Sequence, residues 1–115
     1  MNLMNFEQEL PMEFLHQGEN LFLSGGIHKL SGEHGCFEAE FRMGRWLGCS
    51  DLIINDSLDI DGYQCCCLES QPCVHLAAIL YALRFMHSVG EADLQSAKAK
   101  CFSTNKAAHP RISLK

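Results

Sequence analysis

The chain has 115 residues, 47% of them hydrophobic and 20% charged. That is enough for one modest core and too little for a large catalytic architecture. Its charge is lopsided: residues 1–97 carry all 14 acidic side chains against Lys29, Arg42, Arg45 and Arg84, a net of −10, while residues 98–115 carry five basic side chains and no acid. An acidic body disfavours phosphate backbones, and no run of eighteen apolar residues exists to span a membrane.

Met1 to Leu10 holds Glu7 and Glu9 without a basic residue, so no signal peptide is expected there. The spacing of Met12, Phe14, Leu15, Leu21, Phe22 and Leu23 predicts a helix over 12–23, with Pro11 near its first turn, Gly18 as a weak middle and Gly25-Gly26 as its end. A strand is expected from Ile27 to Leu30, then a hairpin loop over Ser31-Gly32-Glu33-His34-Gly35. Strict alternation follows: Phe37, Ala39, Phe41 and Met43 on one face, and Cys36, Glu38, Glu40 and Arg42 on the other. A turn at Gly44 leads to a strand over 46–54, and Asn55-Asp56-Ser57 is a turn before a strand over 58–64. Ser70 or Gln71 is expected to cap the next helix, with Pro72 in its first turn, Leu76, Ile79, Leu80, Leu83 and Met86 as its buried stripe and Gly90 as its stop. An additional helix is expected over 91–102, and a basic, mobile tail over 103–115. The fold class is therefore α+β: a small antiparallel meander of three to four strands between an N-terminal and a C-terminal helix.

The chemistry concentrates where strand gives way to helix. Cys65-x-Cys67, five residues, then Cys73-x-His75 forms a Cys3His set. Structural zinc takes four thiolate or imidazole ligands in a tetrahedron, and two ligand pairs joined by a short loop supply two opposite edges of it. Period two puts Cys65 and Cys67 on one face of the strand end and turns Cys66 away. Ordinary buried cysteines are the bland alternative, and the spacing argues against it. One structural Zn2+ per chain would pin the helix to the sheet and contribute folding free energy. An odd count of seven cysteines, three of them adjacent, points to a reducing cytoplasm and away from a disulfide scaffold.

This pattern, with an apolar helix after His75, resembles the SWIM zinc finger, and "EFLHQGENLFLSGGI" upstream resembles the bacterial form of that domain. The similarity spans about residues 12–86, within an expected domain of 12–88. Leu68 stands where the family often has proline, and Val74 where a basic residue is common. The resemblance implies an interaction module with a protein partner, such as a helicase or recombination factor. Alternatively it implies a free-standing relative of the recognition domain of an SNF2-type helicase, acting in trans.

Other side chains have plainer roles. His28, His34 and Cys36 flank a hairpin and lack a fourth ligand, so they are expected to face water beside the turn. His16 and His87 are expected at the helix surface, Cys49 and Cys101 as small apolar fillers, and Trp46 in packing or as an interface anchor. Four convergent ligands leave no open position for substrate, and there is no phosphate-binding glycine loop, so an enzyme is not expected. Direct DNA binding through the basic tail is the alternative function, and a cysteine-based redox or hydrolytic enzyme is held in reserve.

Overall fold

The computed structural model describes residues 1–66 and 73–100, without the side chains of Met43 and Trp46. The roles expected for Trp46, Pro72 and Cys101, and the tail over 103–115, lie outside the described residues. The architecture is α+β: an N-terminal helix, a four-stranded antiparallel meander and helical structure at the C-terminal end.

Helix α1 spans Met12–Leu23, with Pro11 as N-cap in extended conformation. Its buried residues, Leu15, Gly18 and Leu21, recur every three positions and make one narrow stripe. Gly18 marks a close approach: a Cβ added there would lie 2.5 Å from the Ala77 Cβ and 2.8 Å from the Ala78 backbone N. The residue expected to weaken α1 is what lets a second helix come near.

The strands are β1 (Ile27–Glu33), β2 (Cys36–Met43), β3 (Trp46–Ile54) and β4 (Ile60–Cys65), neighbours in chain order. The loop expected over 31–35 shrinks to two residues, and β1 runs on to pair Glu33 with Cys36. His34 and Gly35 both adopt positive φ, 53° and 80°, the conformation a two-residue type I′ hairpin needs at both central positions. The Asn55 side-chain oxygen accepts from the N–H groups of Ser57 and Asp59, which orders the turn into β4. Leu58 has a left-handed φ of 69°, so β4 begins two residues later than the spacing predicts.

Alternation sorts the sheet as expected. Leu30, Ala39, Phe41 and Leu52 are buried on the helix-covered face, while Cys36, Glu38, Glu40, Asp51 and Ile53 are exposed on the other. Helix α2, Val74–Val89, buries Leu76, Ile79, Leu80, Leu83 and Met86, and Gly90 closes it in the left-handed conformation. The cap expected at Ser70 or Gln71 is corrected: the helix starts at Val74, and Cys73 is its N-cap, in extended conformation. Residues 94–100 are helical again, burying Leu94 and Ala97.

The segment before Met12 joins the same core. Leu3, Phe6 and Leu10 are buried, and backbone bonds Leu3 N to Leu58 O and Ile60 N to Met1 O tie it beside β4. Arg84 on α2 donates two bonds of 2.7 Å to the Glu7 carboxylate and lies 4.7 Å above the Phe6 ring. That guanidinium holds the Glu7 carboxyl below its ordinary range, against the small opposing effect of its burial.

Candidate metal centre

Cys65 is the last residue of β4, and period two points its side chain to the helix-covered face, beside its register partner Ser50. Cys73, fully buried, is the N-cap of α2, and His75 is the second residue of that helix, 8% exposed. The chain thus returns from the sheet to the helix so that Cys65, Cys73 and His75 converge, with ligand atoms all within 4.8 Å of one another. The His75 Nδ1 lies 3.6 Å from the Cys65 Sγ and 3.8 Å from the Cys73 Sγ. Metal–sulfur bonds of about 2.3 Å and metal–nitrogen bonds of about 2.05 Å, at tetrahedral angles, give a sulfur–nitrogen edge of about 3.6 Å. The two sulfur–nitrogen edges therefore match one tetrahedral ion, and the two sulfurs lie within 4.8 Å of each other, against an ideal edge of about 3.8 Å.

The surroundings fit an ion held by thiolates. Tyr63, two residues before Cys65 and on the same face, brings its hydroxyl to 3.1 Å from the Cys73 Sγ. Burial, and next the bond to Cys73, push the Tyr63 hydroxyl far above the ordinary phenol range. It consequently keeps its proton at neutral pH and can donate it to a thiolate. Cys73 also sits at the N-terminal end of α2, where unpaired backbone N–H groups favour negative charge. Phe41 packs against the His75 ring, centroids 4.7 Å apart and nearly edge-on, and fixes its plane. The buried Ser50 hydroxyl lies on the face that carries Cys65 and acts on the Tyr63 hydroxyl against the effect of burial.

Of the four expected ligands, Cys65, Cys73 and His75 come together, and Cys67 lies outside the described residues. Cys66 turns to the opposite face: its Sγ accepts the Cys49 N–H at 2.9 Å, and its own N–H donates to the Cys49 carbonyl at 3.1 Å. The filler role expected for Cys49 is corrected, because its position in β3 points it to the open face, where it is exposed. The hydrogen bond with Cys66 and the proximity of that sulfur raise the Cys49 thiol above its ordinary range. His16, His28, His34, Cys36 and His87 are all exposed. Tyr63 and Ser50 were not singled out from the sequence. The signal for Tyr63 was its place two residues from Cys65 in an alternating strand.

No protein-family model, curated protein or solved structure matches this chain.

Proposed function

We propose that this chain is a non-catalytic, zinc-stabilised interaction module of the SWIM type, holding one structural Zn2+ with Cys65, Cys67, Cys73 and His75 and binding a protein partner. The observation that carries the metal reading is the pair of sulfur–nitrogen distances, 3.6 and 3.8 Å, at a seam between sheet and helix. Two thiolates and an imidazole are a donor set that zinc favours, and Cys67 would complete it. The ion would supply cohesion: it would clamp the end of β4 to the start of α2.

The partner class rests on charge. On the open face of the sheet the exposed Glu33, Glu38, Glu40 and Asp51 outnumber Lys29 and Arg42, and Glu38 and Asp51 are direct register partners. Such a face repels a phosphate backbone, whereas it suits a protein surface carrying Lys and Arg. Among the described residues no helix is long and apolar enough to cross a membrane. A reducing cytoplasm suits a centre built from thiolates.

Native mass spectrometry of the full chain tests this reading. One zinc per chain is expected in the wild type, lost in both Cys67→Ser and His75→Ala. A chelator is expected to remove the ion and lower the thermal midpoint with loss of helical dichroism. A metal-free wild type of native stability would overturn the metal reading. Tight binding of duplex DNA at about 150 mM salt would overturn the protein-partner reading.

A further inference from the structure

The open face of the sheet carries a second sulfur pair, separate from the metal centre. The β3–β4 register pairs Ser50 with Cys65, and one step further it sets Cys49 opposite Cys66. The bond from Cys66 N–H to the Cys49 carbonyl, 3.1 Å, continues the ladder to that step. Residues directly opposite in an antiparallel ladder have Cα atoms about 4.5–5.5 Å apart and side chains on the same side. A disulfide needs a Cα separation of about 4.4–6.8 Å, so the backbone is already in range. The Cys49 N–H reaches the Cys66 sulfur at 2.9 Å, which brings that sulfur against the Cys49 residue. Both are free thiols and both are exposed. Cys66 directly follows Cys65, the last residue of β4, so the pair lies at the end of the ladder.

We propose that Cys49 and Cys66 are a redox-active pair that closes to a reversible cross-strand disulfide, with a low-molecular-weight disulfide as oxidant. The thiolate of one cysteine attacks the oxidant, breaks its S–S bond and releases one small thiol. The second cysteine attacks the resulting mixed disulfide, displaces the other small thiol and forms the Cys49–Cys66 bond. Two electrons and two protons leave the protein, and the oxidant departs as two thiols. Closure ties residue 66 to β3 at the point where the chain leaves the strand that delivers Cys65. It also withholds the Cys66 sulfur from the neighbouring metal ligands. Cys36 is the built-in comparison: it is exposed on the same sheet, but its register partners are Glu33 and Ile53.

The full chain, as isolated, is incubated with hydroxyethyl disulfide, an uncharged probe chosen because Glu40 neighbours Cys49 in the register. Remaining thiols are then alkylated, and the chain is cleaved at aspartate, which separates Cys49 from Cys66 at Asp51, Asp56, Asp59 and Asp61. The expected result is a Cys49–Cys66 cross-link, about 2 Da below the sum of its peptides, reversed by excess thiol and located by tandem fragmentation, since Cys36 shares a peptide with Cys49, and Cys65, Cys67 and Cys73 share one with Cys66. Cys36 should carry only the mixed adduct. In Cys49→Ser the cross-link should disappear and the adduct should accumulate on Cys66. Stable mixed adducts at both Cys49 and Cys66 of the wild type, or a cross-link from Cys66 to any other cysteine, would overturn the proposal. Zinc content of the same sample reports separately on the metal reading.

Discussion

Tyr63→Phe removes one oxygen from the metal centre and leaves the ring that fills the space. In the wild type that hydroxyl lies 3.1 Å from the Cys73 Sγ, and burial keeps it protonated, so it is placed to donate to a thiolate. A hydrogen bond to a charged group is worth about 1.5–3 kcal/mol, and each 1.4 kcal/mol is a factor of ten in affinity. Loss of this bond should therefore weaken zinc binding about 10- to 100-fold, the range typical for groups that support a ligand without touching the ion. Competition against a chromogenic chelator of known affinity reads this directly, with far-UV dichroism confirming that the variant is folded. The comparison is cleanest near neutral pH, where Tyr63 is wholly protonated. An affinity within about twofold of the wild type would refute the reasoning, since a bond to a buried thiolate cannot be that weak.

Two further outcomes follow from the packing around the site. Gly18→Ala puts a methyl against the Ala77 side chain and the Ala78 backbone, at 2.5 and 2.8 Å, where a helix backbone cannot yield cheaply. A loss of about 1–3 kcal/mol is expected in urea denaturation, although alanine is the better helix former, and a gain in stability would show that the helices separate freely. Glu7→Gln breaks a bidentate pair that is 41% exposed on the Glu7 side, so about 0.5 kcal/mol is expected after screening. Because the folded-state pKa of Glu7 is lowered, its contribution is fully present above the unfolded value of 4.5 and is lost as pH falls through the folded one. Thermal midpoints of wild type and variant should accordingly differ at pH 6 and converge towards pH 2, and a constant difference across that window would be contrary to the assignment.

Much of this fold is legible in the sequence because two periodicities are unusually clean. Alternation over residues 36–43 separates Phe37, Ala39 and Phe41 from Cys36, Glu38 and Glu40, and the structure keeps that division. The bounds of α1 and β3, Met12–Leu23 and Trp46–Ile54, agree with the spacing. What was less legible depended on distant partners. Leu3, Phe6 and Leu10 have helical spacing, but the segment is short, and distant residues such as Leu58, Ile60, Tyr81 and Arg84 explain why it is held. Gly18 reads locally as a flaw and tertiarily as a contact, since propensity carries no knowledge of the opposing helix. His34 adopts a left-handed conformation that is uncommon for any residue but glycine, though histidine is among the types that reach it, so the hairpin is shorter than the spacing predicts.

The cysteine run shows the same division at single-residue scale. Alternation alone sends Cys65 to the covered face and Cys66 to the open one, so the two adjacent sulfurs belong to different chemical environments. On the covered side, Cys65 meets Cys73, His75 and the Tyr63 hydroxyl, in a half-buried place where a bound cation would gain from low dielectric and fixed donors. On the open side, Cys66 meets Cys49 and water. The sequence motif contains the first set in full, because its ligands lie within eleven residues. It contains only half of the second, because Cys49 arrives from a different strand, and strand register is not written locally. Cys66, which looks redundant beside Cys65 in the sequence, thereby has its own contact, the Cys49 N–H, on the exposed face of the sheet.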